Sequence, residues 1–140
     1  MKKRFFAVVL TMALMFTLFV GTALATEYRA STTLAQFSTG ASRGEQPGEI
    51  IINFDVLASI GADSLGVSSI KIYKNDDIYV TTIIGSTENG LVRKNNLRYS
   101  SSYTYSGVSG TTYYAIVTGF ASVGSDYDSR TVRTNSVTAP

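Results

Sequence analysis

Nine residues, Glu49 to Leu57, constrain the fold more than any others in the chain. Ile50, Ile52, Phe54 and Val56 fall on one parity; Glu49, Asn53 and Asp55 fall on the other with Ile51 and Leu57. Alternation at period two gives an extended strand one apolar face and one mixed face. A helix would need its apolar residues three and four apart. The apolar face is expected to point into a core. From Thr26 onward no segment sustains helical spacing. Ser and Thr supply 31 of those 115 residues, and β-branched and aromatic types dominate the apolar ones. That composition favours strands.

Seven strands are expected: Ser31–Ser38, Glu49–Leu57, Ser68–Lys74, Ile78–Ile84, Leu97–Ser106, Thr111–Ala121 and Thr131–Thr138. Between them the glycine-rich or polar stretches 40–48 and 124–129 read as loops, 58–67 as a connection, and 85–96 as a loop or a short irregular edge. In the first strand Leu34 and Phe37 break parity, which predicts a bulge or a strand that switches sheets. Asn75-Asp76-Asp77 is a hairpin turn, since Asn and Asp tolerate positive φ. The pairing places Ile70 and Ile72 on one face, Lys71 and Tyr73 on the other. Short strands with regular turn signals predict an all-β fold, an antiparallel two-sheet sandwich.

The N-terminus has a different character. Met1-Lys2-Lys3-Arg4 is basic, Phe5 to Val20 is an apolar run with threonines, and Ala23-Leu24-Ala25 is a small-x-small site. These are the three parts of a secretory signal peptide, expected at 1–25 and followed by one domain at 26–140. The apolar run of about 16 residues is shorter than the roughly 20 that span a bilayer. A secreted, extracellular location follows, with no membrane segment after cleavage. Residues 26–140 carry nine Lys/Arg and ten Asp/Glu, a formal charge of 9 − 10 = −1. Near-neutrality without a basic run argues against nucleic-acid binding. With no cysteine and no histidine, disulfides, cysteine nucleophiles, Ser-His-Asp triads and the usual zinc sites are excluded.

Gly110-Thr111-Thr112-Tyr113-Tyr114-Ala115-Ile116-Val117-Thr118 resembles the sixth strand of fibronectin type III domains, and Ser129 to Thr138 is similar to their closing strand. The resemblance spans Glu49 to Thr138 and implies an immunoglobulin-like or fibronectin III-like sandwich. It implies that Tyr113 is a tyrosine-corner residue, with its ring in the core and its hydroxyl on nearby backbone. Two features depart from the pattern: no tryptophan is present, and Val108-Ser109 stands where Leu-x-Pro usually precedes the corner. A second resemblance, over 63–74, 80–85 and 107–115, is to small uncharacterised secreted proteins of Gram-positive, clostridia-like bacteria. It implies a compartment and no activity.

Four aspartates are candidate Ca²⁺ ligands. Asp126 and Asp128 sit one residue apart, with Asp76 and Asp77 as further oxygen donors; the alternative is a solvated acidic loop, and no cofactor is otherwise expected. Tyr99, Tyr103 and Tyr105 alternate, so one sheet face can carry all three as a sugar-stacking surface, joined by Tyr79 and Tyr127. The alternative is cross-strand pairing and core burial. Thr111 to Phe120 is apolar on both parities and needs either a partner molecule or cover from the chain itself. Glu49 and Asp55 share one strand face about 20 Å apart, too far for a glycosidase pair. The expected role is therefore non-catalytic: extracellular binding, adhesion or surface structure, with an extracellular protein or glycan as partner and self-association open. The alternative is a carbohydrate-binding module that uses surface tyrosines and Ca²⁺.

Overall fold

The computed structural model describes residues 33–140. The signal peptide and cleavage site expected at 1–25 lie outside the described residues. Among these the fold is all-β: β1 (Leu34–Arg43), β2 (Glu49–Lys74), β3 (Ile78–Ile84), β4 (Val92–Ser106), β5 (Thr112–Val123), β6 (Asp126–Arg133) and β7 (Val137–Thr138), with no helix. All pairings are antiparallel.

The spine is β2. Along one of its edges run first β1, opposite Ile50 to Ala58, and then β5, opposite Ser64 to Lys74. Along the other edge run β4, opposite Glu49 to Gly66, and then β3, opposite Ser69 to Lys74. β6 extends the sheet from β5, and β7 pairs with the start of β5. The expected connection at Ala58–Val67 is therefore not a loop. Its backbone stays extended because β4 and β5 pair with it on both sides, while register shifts between Leu57 and Ala62 and between Val67 and Ser69 absorb the irregularity.

Other boundaries move for related reasons. β1 continues through Gly40 to Arg43 because Ile50 to Asn53 offers it partners. Val92 to Asn96, within the stretch expected as a loop or a short irregular edge, is strand and pairs with Ala62 to Gly66. Asp126 to Ser129 forms strand because the β5–β6 hairpin turns in only two residues, Gly124-Ser125. The expected last strand divides into β6 and β7. Two expected features are present: a register shift between Leu34 and Gln36, and a β2–β3 turn with φ of 64° at Asp76 and 60° at Asp77.

The curl of the sheet encloses the core. Ile50, Ile52, Phe54 and Val56 all face inward, joined by Leu65, Val67, Ile70 and Ile72 from the second part of β2 and by Tyr113, Ala115 and Val117 from β5. β1 and β5 are not hydrogen-bonded neighbours, yet Phe37 lies so close over Gly119 that a Cβ there would stand 2.4 Å from its ring. The outer edge of β1 is tied down as well. Asn135 Nδ2 donates to the Ala41 carbonyl at 2.8 Å and its Oδ1 accepts from the Ala41 N–H at 2.9 Å, while Arg130 donates to the Leu34 carbonyl.

Candidate binding surfaces

Tyr99, Tyr103 and Tyr105 do share one face of β4, but it is the inner one. Each is half-buried and packed against the core, Tyr99 edge-on to Phe54 and Tyr105 edge-on to Tyr113. Of the two arrangements expected for these three, a sugar-stacking surface or cross-strand pairing with core burial, the placement is the second: their rings fill space beside Phe54 and Tyr113. Burial, and then the neighbouring Tyr113 and Tyr103, push the Tyr105 hydroxyl pKa upward. The Tyr99 hydroxyl donates to the Gly90 carbonyl and anchors the loop before β4.

Tyr113 is buried, and its hydroxyl accepts the backbone N–H of Val108 at 2.9 Å. Gly107 lies against that ring, where a Cβ would meet the hydroxyl oxygen at 2.6 Å. Tyr113→Phe leaves the Val108 N–H without this partner and is expected to cost about 1–3 kcal/mol. Urea titration of the two proteins measures it, and a loss below about 0.5 kcal/mol would remove the corner from the account of stability.

The four candidate calcium ligands do not converge. Asp76 and Asp77 sit at the β2–β3 turn, next to the start of β5, whereas Asp126 lies opposite Val123 at its end. Ten residues of strand, about 33 Å, separate the two pairs. Asp77 accepts the Tyr114 hydroxyl at 2.6 Å, and Asp128 faces the Thr33 N–H at 3.5 Å. Among the described residues no three acidic groups cluster to hold a metal.

The outward face of β1, β2 and β4 is polar. Arg98 donates to Asp55 through Nε at 2.9 Å and Nη2 at 2.7 Å, and the Ser100 hydroxyl donates to the same carboxylate. Ser38, Thr39, Gly40, Asn53, Phe54 and Asp55 line a shallow cavity of about 200 Å³ beside this pair. The bonds from Arg98, then from Ser100, hold the Asp55 pKa below the ordinary carboxylate value. A depressed carboxylate pKa contributes stability above its unfolded value, near 3.9, and loses it as pH falls through the folded one. The stability advantage of wild type over Asp55→Asn is accordingly expected to shrink as pH falls from about 5 through the lowered folded-state value. Because Arg98 is largely exposed, the effect is small and weakened by salt. Denaturant midpoints of both proteins across that range check it; a constant difference would refute it.

The outward face of β3, β2, β5 and β6 is aromatic and basic. The register sets Tyr79 opposite Tyr73 and Tyr73 opposite Tyr114. Tyr79 meets Tyr73 edge-on at 5.8 Å, Tyr73 stacks on Tyr114 at 5.2 Å and 5°, and the Arg133 guanidinium covers Tyr114 at 3.8 Å. The hydroxyl of Tyr79 bonds to Thr82, and its ring is 56% exposed. Its bond to Asp77 raises the Tyr114 pKa. Exposed Lys71 lies next along β2 on this face. At the far end Phe120 stacks on Tyr127, itself 59% exposed. The second apolar parity of β5 thus gets its cover from within the chain: Tyr73 and Arg133 lie on Tyr114, and Tyr127 lies on Phe120.

This row was partly legible. Tyr73 and Tyr79 are each one residue outside the paired ends Lys74 and Ile78 of the hairpin, which makes them cross-strand neighbours. Nothing local shows that Tyr114 completes the row, because that depends on β5 lying beside β2.

No known protein family matches the chain, and no curated protein matches it. Among solved structures it is similar to a β-glucuronidase of Parabacteroides merdae, determined with glycerol in its active site, at 10% identity and a TM-score of 0.43. That match covers 72% of this chain and 13% of the glucuronidase.

Proposed function

We propose that this protein is a secreted, non-catalytic binding domain whose ligand face is the outer surface of β3, β2, β5 and β6. The observation that carries the reading is the row Tyr79–Tyr73–Tyr114–Arg133, continuous over four strands and flanked by Lys71. Interlocked rings and a guanidinium hold their positions before any ligand arrives, which lowers the entropy lost on binding. Aromatic and Arg side chains are also the types that dominate interface energetics.

In this reading the curled sheet is a two-sheet sandwich of the fibronectin III type. β1, β4 and the first part of β2 make one sheet; β3, β5, β6 and the second part of β2 make the other. The strand neighbours and the Phe37–Gly119 contact support it. An extracellular protein is the favoured partner, because the flat faces of Tyr73 and Tyr114 are already occupied by each other and by Arg133. The exposed rings of Tyr79 and Tyr127 favour a second reading, a glycan ligand.

The test begins with export. Mass spectrometry of the chain recovered outside the producing cells is expected to find Thr26 as the first residue, and an intact Met1 would sink the secretion claim. Retention of that protein on cell-envelope material is expected to fall at least tenfold with Lys71→Glu and with Tyr79→Ala. Retention indifferent to both changes would exclude this face. Retardation on a polysaccharide, with or without Ca²⁺, that disappears with Tyr79→Ala and Tyr127→Ala would favour the glycan.

A further inference from the structure

The free edge of β3 stands beside that face but does not depend on it. Among the described residues β3 pairs with β2 alone, so no strand takes up the backbone groups along its other edge, although at the far end Asn89 Nδ2 donates to the Ile84 carbonyl at 2.7 Å. The strand, Ile78-Tyr79-Val80-Thr81-Thr82-Ile83-Ile84, contains no charge, no proline and no glycine. Ile78, Tyr79 and Ile84 are 51%, 56% and 69% exposed. Edge strands usually carry charges, prolines or cover that stop them pairing with another chain. β1 has such cover in Asn135 and Arg130. Two other edges are polar: β4 turns Ser100, Ser102, Thr104 and Ser106 outward, and β6 carries Asp126, Asp128, Arg130 and Arg133.

We infer that β3 pairs antiparallel with β3 of a second copy of this chain, joining two sheets across a two-fold axis. Charge argues for a second copy over an unrelated strand. Asp76 and Asp77 lie at one end of this edge. Lys74 stands beside them, which leaves that end one negative charge. At the other end the same edge of β2 is taken up by β4, which carries Lys94 and Arg93, the latter over the Tyr99 ring at 5.3 Å; with Glu88 in the turn between β3 and β4, that end keeps one positive charge. Antiparallel self-pairing directs the acidic end of each copy toward the basic end of the other. The strand itself brings no like charges together, and at a formal charge of −1 for residues 26–140 the copies repel one another little. A seven-residue edge buries less than the roughly 1,200 Å² of a stable complex, so the dimer is weak and dissociates on dilution.

Sedimentation of the chain, expressed with its whole N-terminus and purified as the cell leaves it, tests this. A monomer–dimer equilibrium is expected below about 1 mM. Ile84→Lys and Ile78→Lys, both at exposed positions, are expected to weaken it at least tenfold with thermal unfolding unchanged. Asp76→Lys and Lys94→Asp are each expected to weaken it, and the two together to restore it to within about threefold. These surface charge changes keep the test decisive should an isoleucine variant misfold. A monomer throughout, or a dimer insensitive to Ile84→Lys and to the charge exchange, overturns the inference. Envelope retention with no dimer would leave the binding face standing without this partner, and the reverse result would leave the dimer standing without the face.

Discussion

Gly66→Ala is expected to lower the stability of this protein by about 4 kcal/mol or more, enough to unfold a marginal domain. Gly66 has φ of 143°, a conformation that L-residues rarely adopt, and a Cβ there would stand 2.1 Å from the Leu91 carbonyl oxygen. That oxygen cannot retreat, since it accepts the Val67 N–H at 2.8 Å and belongs to Leu91, whose side chain is completely buried. Gly90→Ala is the control. Its φ is 76° but nothing lies within 4 Å of the added carbon, so only the backbone cost of about 1 kcal/mol applies. Equilibrium unfolding of the three proteins separates the two terms. Equal losses at both glycines would show that the close approach to Leu91 contributes nothing.

Ile52→Ala and Ile72→Ala are each expected to cost about 2–5 kcal/mol, through lost apolar burial and the cavity left behind. Both side chains are completely buried in the same core, although they stand in parts of β2 with different strand partners. If the core is one cooperative unit, each variant should unfold in a single transition detected alike by tyrosine fluorescence and far-ultraviolet circular dichroism. Two separated transitions in either variant would divide the core between the two parts of β2.

Interior faces were legible where the alternation was strict. Ile50, Ile52, Phe54 and Val56 point inward because a strand buried on one side leaves a period-two trace in its residues. The β2–β3 turn was legible because Asn75-Asp76-Asp77 is a local conformational preference. The continuity of β2 through Ala58–Val67 was not. Gly61, Asp63 and Gly66 read locally as breakers, yet the segment stays extended because β4 pairs with Ala62 and with Ser64 to Gly66, and β5 with Ser64 to Val67, both distant in sequence. For the same reason the fate of the tyrosines was out of reach. Alternation placed Tyr99, Tyr103 and Tyr105 on one face without saying which side of the sheet that face occupied.

Strand content, the interior set Ile50, Ile52, Phe54 and Val56, the hairpin at Asp76 and the absence of histidine and cysteine chemistry are properties of the sequence alone, because each rests on residue type or on spacing within a few positions. The curl that lays Phe37 over Gly119, the separation of the two aspartate pairs, the Tyr79–Tyr73–Tyr114–Arg133 row and the open edge of β3 were decided by tertiary structure. Each depends on which strands become neighbours, and that choice is made by the burial of the whole core at once.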